Sequence, residues 1–225
     1  MRKVLDGLQL TDNFVDDVLT FTGDWRAQLN ELKELFERVR QAGLAVKPSK
    51  CYLGYPSVEF VGHRVGDENL EMLDDRVEQV VLASPPRTKK QLRAFLGLSG
   101  HYRRFIQDYA KVIAPLTDAL KGGNTAPLSW GPKEKVAFEE LKRNFCARPI
   151  LRLADVDKPF VLRTDASDDG LGAVLLQEHN DGIFPVAYAS RKLTRAERNY
   201  AVVERECLVI VWAIAKFYCR PTIDH

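Results

Sequence analysis

The sequence predicts an α+β protein in which a region of short strands and helices is followed by a mixed-sheet α/β unit. Three patterns support this fold class: an amphipathic helix next to strand patterns before residue 84, a basic helical segment over residues 85–121, and three strand patterns with a long helix after residue 159. With 225 residues and 45% hydrophobic composition, the chain is long enough for one or two buried cores.

The first region, residues 1–84, is predicted to contain a helix and a hairpin. Five apolar residues share one helix face, namely Leu29, Leu32, Leu35, Phe36 and Val39. Gly43 follows closely enough to end this helix. The hairpin comes next, with strands at residues 51–53 and 58–61 that turn through residues 54–56.

The second region carries most of the basic excess. The formal net charge of +2 conceals a gradient, because residues 1–84 sum to −5 and residues 85–121 sum to +6. Thr88 and Gln91 form a capping-box pattern after a proline pair, which predicts a helix start. Apolar residues at helical spacing then predict two short helices broken near Gly100.

The remaining chain is predicted to begin with a linker at residues 122–132 and a helix. That helix carries Phe138, Leu141 and Phe145 on one side. Three strands follow over residues 160–165, 172–177 and 184–189. A long helix then opens with a capping box of Thr194 and Glu197. Its predicted buried face comprises Tyr200, Val203, Cys207, Ile210, Val211 and Ile214.

Simple counts exclude several classes of protein and site. The longest clearly apolar stretch, residues 207–215, is far shorter than the roughly 20 residues that span a bilayer. Asp6 interrupts the amino-terminal apolar residues, so no secretory signal is predicted and an intracellular, cytoplasmic setting is expected. The cysteines and histidines have no spacing typical of a zinc site or a disulfide framework.

Asp16 and Asp17 form an acidic pair inside the apolar run from Phe14 to Leu19. Burying an unpaired carboxylate is costly, so the pair needs a structural or a chemical explanation. An aspartate pair between strand-forming residues is typical of a hairpin turn, and a basic side chain could also neutralise it. The functional hypothesis is a magnesium site, because hard oxygen ligands suit this ion.

Asp165 and Glu206, after residue 159, are acids that also need a structural or a chemical explanation. Asp165 lies where a strand ends and a turn begins, so capping of that turn is one interpretation. Glu206 lies in the largely apolar middle of its helix and therefore requires a partner. An ion pair with a basic residue such as Arg163, or a metal shared with Asp165, would each supply one.

The basic segment offers a candidate nucleic-acid surface. Its cations are Lys89, Lys90, Arg93, Arg103 and Arg104, and they alternate with Phe95, Tyr102 and Phe105. The pattern fits a solvent-exposed helix face whose apolar residues pack into the core on the other side. Next to two acidic sites, it also fits contacts with a phosphate backbone.

Short motifs of one family occur in order along the chain. The first half contains Phe14-Val15-Asp16-Asp17, Pro48-Ser49-Lys50-Cys51, Glu59-Phe60-Val61-Gly62-His63 and Leu92-Arg93-Ala94-Phe95-Leu96-Gly97-Leu98. The second half contains Tyr102-Arg103-Arg104-Phe105-Ile106, Ala114-Pro115-Leu116-Thr117, Thr164-Asp165-Ala166-Ser167 and Glu204-Arg205-Glu206-Cys207-Leu208. With these motifs the chain resembles the polymerase polyproteins of gypsy-like LTR retrotransposons.

The resemblance implies a division into four parts. Residues 1–84 correspond to the C-terminal part of a reverse transcriptase palm with its primer-grip hairpin, and residues 85–121 to a helical thumb. Residues 122–158 correspond to a connection segment, and residues 159–225 to a C-terminally truncated ribonuclease H-like domain. The implied fold is thus a partial palm with a thumb, followed by a mixed-sheet α/β domain.

The resemblance also implies roles for individual residues. Asp16 and Asp17 would be the palm carboxylates, and Asp165, Glu206 and Asp224 the ribonuclease H carboxylates. These acids would hold Mg²⁺ or Mn²⁺ in two-metal sites. The implied nucleic-acid-binding residues are Phe60, Val61, Gly62 and His63 in the primer grip and Lys89, Lys90, Arg93, Arg103 and Arg104 in the thumb. The partners would be a primer-template duplex, an RNA:DNA hybrid and, in the parent enzyme, a dNTP.

The expected function is that of a reverse transcriptase and ribonuclease H fragment. Family members carry fingers and another palm aspartate before the position of Met1, and a further ribonuclease H acid beyond position 225. Two-metal transfer requires its whole ligand set, so we expect no polymerase activity from this chain alone. The alternatives are a nucleic-acid-binding remnant without catalysis and a decayed retroelement reading frame.

Overall fold

The structure, a computed structural model, describes residues 2–8, 10–122 and 127–218. It contains helices and antiparallel sheets, which confirms the predicted α+β class. The chain forms two compact units that divide between Gly62 and His63. Among the residues described, no helix has the length and apolar character that a membrane span requires. The four-part division at residues 84, 121 and 158 remains a prediction.

The first unit places a two-stranded hairpin beside a long helix. Its elements are α1 (Arg2–Leu5), β1 (Thr11–Phe14), β2 (Asp17–Thr20), α2 (Trp25–Gln41) and β3 (Ser57–Phe60). The core consists of Leu5, Leu8, Leu32, Leu35 and Val39. Gly43 ends α2 as predicted, with a φ of 69° and an amide that donates to the carbonyl of Arg40.

The hairpin predicted from residues 51–53 is wrong. These residues form no strand and follow a 3₁₀ turn at Pro48–Lys50, in which the Cys51 amide donates to the Pro48 carbonyl. Proline fixes the backbone at the start of this turn and favours it over an extended strand. The apolar residues Tyr52, Leu53 and Tyr55 are exposed.

The second unit begins with a small sheet packed against helices. Its elements are β4 (His63–Gly66), β5 (Asn69–Met72), α3 (Asp74–Val81), α4 (Lys89–His101), α5 (Tyr109–Val112), α6 (Ala114–Asp118), α7 (Pro132–Cys146) and β6 (Leu151–Arg152). Strand β5 lies between β4 and β6. The Thr88 capping box is confirmed, and α4 continues through Gly100 before a 3₁₀ turn at Arg103–Phe105. The predicted core face of α7 is buried.

The second unit ends with a three-stranded antiparallel sheet and a helix. The strands are β7 (Phe160–Ala166), β8 (Gly170–His179) and β9 (Gly182–Lys192), and they confirm the three predicted strands. The helix α8 (Val202–Tyr218) packs on β7 and β8. The Thr194 capping box forms, but it opens a 3₁₀ turn at Glu197–Asn199 instead of α8.

The predicted buried face of α8 is wrong. Val209 and Ala213 are the buried residues, and Val209 packs with Leu171 and Leu193 of the sheet. The predicted stripe is exposed, with Val203 73% and Val211 67% accessible. Both faces of this helix are rich in apolar residues, so periodicity alone does not determine which one meets the sheet.

Polar contacts join strand β9 to the preceding helices. The Ser190 hydroxyl accepts a hydrogen bond from the Ala110 amide at 2.8 Å. The Lys192 ammonium donates to the Ala114 carbonyl, the Thr117 hydroxyl and the Asp118 carboxylate at 3.0, 2.7 and 3.1 Å. An ammonium has three hydrogens, so all of its donors are used at this contact.

Candidate functional site

The first candidate site is the acidic turn between β1 and β2. Phe14 pairs with Asp17, so Val15 and Asp16 form a two-residue hairpin loop. This confirms the predicted turn. Both aspartates are exposed, and Val15 has a φ of 53°. A β-branched residue in this left-handed region carries strain of about 1–3 kcal/mol.

Two polar side chains of α2 support both strands of this hairpin. The Glu31 carboxylate accepts hydrogen bonds from the Thr11 hydroxyl at 2.8 Å and the Leu10 amide at 3.2 Å. The Gln28 side chain donates to the Thr20 hydroxyl at 2.8 Å. These contacts hold the strained loop, and the acids at its end, relative to α2. Their partners are 8 to 21 residues away, so no local sequence pattern indicates them.

The second candidate site begins with Asp165 near the end of β7. Asp165 pairs with Gly172 of β8, which in turn pairs with Ser190 of β9. Successive side chains of a strand alternate, so Asp165 lies on the face opposite to Ala166. Ala166 packs against the core beneath α8. Asp165 itself is exposed.

Gly172 leaves room for another carboxylate on the same face of the sheet. A Cβ atom at this position would lie 2.6 Å from the Asp108 Oδ1 atom. Any other residue would therefore collide with Asp108. The sheet consequently presents Asp165 beside a glycine and near a second acidic side chain.

Arg205 connects the turn after Asp165 to helix α8. Its guanidinium donates to the Asp168 carboxylate at 2.6 Å and to the Ser167 carbonyl at 3.0 Å. The Arg205 side chain is only 11% exposed, whereas the Asp168 side chain is 93% exposed, so solvent screens the pair on the aspartate side. The two partners lie 37 and 38 residues away in sequence, so this contact was not predictable from local spacing.

Glu206 follows Arg205 and lies on the exposed side of α8. Within the described residues, neither Arg163 nor another cation forms an ion pair with it, so the ion-pair alternative is not supported. Arg205 thus places the helix turn that carries Glu206 next to the loop that follows Asp165. Asp224, the proposed third acid, lies outside the described residues.

The donor chemistry of these acids fits a magnesium ion. Residues 2–8, 10–122 and 127–218 contain no group of three or more protein ligands that could hold a metal. Mg²⁺ commonly binds through one or two carboxylates, with water and substrate phosphates completing its shell. Asp16 with Asp17, and Asp165 with Glu206, are exposed carboxylates of this kind.

The predicted nucleic-acid residues of the basic segment differ in accessibility. Lys90, Arg93 and Arg103 are exposed, and Arg104 is half-buried. Lys89 is only 4% exposed, and its ammonium donates to the Lys121 carbonyl at 2.7 Å. Lys89 therefore supports the fold of this segment and has no surface for a phosphate.

The predicted primer-grip residues also divide into buried and accessible positions. Val61 and Gly62 are half-buried and both have positive φ, as in a tight two-residue turn. Phe60, the last residue of β3, is buried. His63 is 1% exposed, and its ring lies 5.6 Å from the stacked ring of Phe105 and 4.8 Å from that of His101. Only the turn itself can meet a ligand directly.

Comparisons with known proteins show what this chain is similar to. Residues 130–220 match the family model of the RNase H-like domain found in reverse transcriptase. The Pol polyprotein of the Drosophila melanogaster transposon opus is 34% identical over 210 residues, which are 89% of this chain and 21% of the relative. The Pol polyprotein of transposon 297 is 37% identical over 91% of this chain and 19% of its own length. The Tf2-3 polyprotein of Schizosaccharomyces pombe is 30% identical over 94% of this chain and 16% of its own length.

Solved structures agree on the fold. The foamy viral protease-reverse transcriptase in complex with an RNA/DNA hybrid has a TM-score of 0.83 at 22% identity, over 96% of this chain and 29% of that one. The same protein in complex with dsDNA has a TM-score of 0.81 at 22% identity, over 96% of this chain and 45% of that one.

The matched domain places residues 130–220 in the class of RNase H-like domains found in reverse transcriptase, and the fold agrees with this match. Within this class, the chain is a homologue of the Pol polyproteins of retrotransposons. It spans between 16% and 21% of the length of these relatives.

Proposed function

We propose that this chain contributes to reverse transcription as a duplex-processing segment that hydrolyses the RNA strand of an RNA:DNA hybrid. Asp165 and Glu206 would be its catalytic carboxylates, and Asp16 and Asp17 would serve nucleotide addition in the parent enzyme. Support comes from the RNase H-like match over residues 130–220 and from relatives whose solved complexes hold dsDNA or an RNA/DNA hybrid.

The Arg205 contact is the observation that carries the hydrolytic proposal. It ties the loop after Asp165 to the helix turn of Glu206 through hydrogen bonds of 2.6 and 3.0 Å. Two carboxylates that act on one phosphate must keep a fixed separation, because small displacements cost large factors in rate. A largely buried arginine between their supporting elements provides that constraint.

The chemistry follows from the residue types. A bound Mg²⁺ would neutralise phosphate charge and lower the pKa of a water nucleophile. Asp165 and Glu206 would hold this ion through their carboxylate oxygens. Gly172, opposite Asp165, carries no side chain, and the Asp108 carboxylate occupies the space beside it.

The direct test is cleavage of a hybrid with a labelled RNA strand in Mg²⁺. Asp165→Asn should reduce the cleavage rate at least about 100-fold, because the neutral amide is a poor metal ligand. Asp169→Asn is the matched control, since Asp169 is an exposed acid of the same turn, and its rate should stay within about twofold. Cleavage by wild type that persists in EDTA, or equally in Asp165→Asn, would contradict the proposal.

Duplex binding without hydrolysis is the second candidate function. The exposed Lys90 and Arg93 lie one helical turn apart on α4, where they favour contact with a phosphate backbone. Hybrid binding that falls with added salt, in a chain with no metal-dependent cleavage, would favour this function over the first.

Nucleotide addition by the chain alone is expected to be absent. The described part of the chain offers Asp16 and Asp17 at the turn but no third potential ligand with them. Primer extension on a poly(A) template with an oligo(dT) primer tests this expectation. Incorporation that disappears in Asp16→Asn would show that the acid pair suffices.

A further inference from the structure

An aromatic cluster is exposed on the first unit, where the start of α2 meets the loop before β3. Its members Trp25, Tyr52 and Tyr55 are 61%, 69% and 64% exposed. Aromatic side chains of this size usually contribute most of their surface to a core or an interface. A contiguous exposed patch of such residues therefore indicates a binding surface.

Direct contacts hold the three rings of the aromatic cluster together. The rings of Tyr52 and Tyr55 meet edge to face, with their centroids 6.0 Å apart. The Trp25 ring packs against Gly54, where a Cβ atom would lie only 3.2 Å from the Trp25 Cζ3 atom. Gly54 also has a φ of 72°, a conformation that favours glycine. The backbone between the two tyrosines is therefore shaped to fit the tryptophan.

The 3₁₀ turn at Pro48–Lys50 fixes the start of this loop. The Lys50 amide donates to the Lys47 carbonyl at 2.9 Å, and the Cys51 amide donates to the Pro48 carbonyl at 3.0 Å. The Cys51 thiol donates to the Lys47 carbonyl at 3.4 Å. Tyr52 follows this turn directly, so the two lysines are held close to the first tyrosine of the aromatic cluster.

The loop combines these rings with positive charge. Residues 41–58 contain two cations, Lys47 and Lys50, and no acid. Both lysines are exposed, and neither forms an ion pair with another described residue. Asp24, the acid next to Trp25, accepts hydrogen bonds from the first amides of α2 at 2.8 and 2.9 Å, so its charge is used at the helix start.

This combination of residues matches the chemistry of an unpaired nucleic-acid strand. Unpaired bases stack on aromatic rings, while cations contact the phosphates between them. Bases in a duplex stack on one another, so their faces are not available to a protein ring. An apolar partner would bury the rings but would leave the two lysines without a counter-charge, which favours a polyanion.

We infer that the aromatic cluster, together with Lys47 and Lys50, binds single-stranded nucleic acid by base stacking. The rings supply the stacking surfaces and the lysines neutralise backbone phosphates. This activity goes beyond the proposed function, because it belongs to the first unit and uses a strand without paired bases.

The test is the affinity of the full chain for a labelled oligo(dT) of about 12 nucleotides, measured by fluorescence anisotropy. Tyr55→Ala should weaken binding about tenfold, because it removes one stacking surface. Tyr55→Phe keeps the ring and should bind within about twofold of wild type. Tyr200→Ala is the matched control, since Tyr200 is 42% exposed but lies in the second unit, and it should bind within about twofold of wild type.

The salt dependence of the same binding tests the two lysines. Lys50→Gln should reduce the slope of log K against log salt by about 0.7, as expected for one phosphate contact of a single strand. Lys47→Gln should have the same effect. Lys135→Gln removes an exposed lysine of α7 and should leave the slope unchanged.

Each alternative gives a distinct result. Equal affinities of Tyr55→Ala and Tyr200→Ala for oligo(dT) would overturn the inference. A tenfold loss of affinity for blunt duplex DNA in Tyr55→Ala would assign the surface to duplex and overturn it as well. A wild-type dimer that becomes a monomer in Trp25→Ala would identify the aromatic cluster as an interface between copies. Hybrid cleavage that is absent, with oligo(dT) binding as expected, would contradict only the proposed function.

Discussion

The two acidic sites are positioned by different physical means. Asp16 and Asp17 stand on a short hairpin whose loop contains a strained Val15, and the polar side chains Gln28 and Glu31 of α2 support its strands. Asp165 and Glu206 stand on unstrained elements that are distant in sequence, and a largely buried arginine joins their neighbours. The first site depends on local backbone conformation, whereas the second depends on one long-range ionic contact.

The largest expected effect comes from breaking that ionic contact. Arg205→Gln should lower kcat for hybrid cleavage about 100-fold and leave the hybrid Kd within about twofold, because it displaces the acids without removing a binding group. Steady-state kinetics together with anisotropy would separate the two parameters. Arg205 is a positioning residue, so a purely structural role would instead reduce both parameters with the folded fraction.

A matched control exists in the same loop. Arg198 approaches Asp169 at 4.0 Å, and both side chains are mostly exposed. Arg198→Gln should change kcat less than about twofold, as expected for a surface pair. An equal loss in both arginine variants would refute the role assigned to Arg205.

A substitution in the strained turn at Val15 should stabilise the protein, in contrast to the loss of activity expected for Arg205→Gln. Val15→Gly removes strain of about 1–3 kcal/mol and adds a backbone entropy cost of about 0.5–1 kcal/mol, so the free energy of unfolding should rise by about 1 kcal/mol. Val15 is 67% exposed, so little packing is lost. Urea unfolding of the full chain measures the change.

Val46→Gly is the control for Val15→Gly. Val46 is also exposed and lies in the same unit, but its φ is not positive. Val46→Gly should lower the free energy of unfolding by about 0.5–1 kcal/mol. A destabilised Val15→Gly variant would show that the loop is not strained.

An effect of similar size that depends on pH is expected at the ion pair of Arg191 and Glu197. Hydrogen bonds from Arg191 lower the pKa of Glu197 from its usual 4.5 to about 2. A lowered pKa means that the ionised form stabilises the fold, so this contribution is complete above pH 4.5 and is lost as the pH falls towards 2. Glu197→Gln should reduce the free energy of unfolding by about 1 kcal/mol at pH 7, and the difference from wild type should shrink below pH 4.5.

Unfolding curves at several pH values would measure this difference. Glu178→Gln is a suitable control, because Glu178 is an exposed glutamate on β8 of the same sheet. Its difference from wild type should not depend on pH in this way. A pH-independent deficit in Glu197→Gln would contradict the electrostatic explanation.

Local patterns in the sequence predicted local structure well. The Thr88 capping box, the end of α2 near Gly43 and the three strands after residue 159 are set by neighbouring residues. The acidic turn at Asp16 is of the same kind. Each of these features depends on backbone preferences within a few positions, so the sequence contains the necessary information.

Features that depend on tertiary packing were missed. The buried face of α8 was misassigned because its two faces are similarly apolar, and the one that meets the sheet includes Arg205, which pattern analysis counts as polar. Lys89 was expected on the surface, although its long side chain reaches the Lys121 carbonyl in the interior. Contacts across 32 or more residues decide both cases.

The Lys192 contact couples the last sheet to the preceding helix α6. All three ammonium hydrogens are bound between β9 and α6, so movement of the sheet away from α6 would break three hydrogen bonds together. A single side chain thus ties β9 to a carbonyl, a hydroxyl and a carboxylate of α6, and its loss would release all three contacts at once.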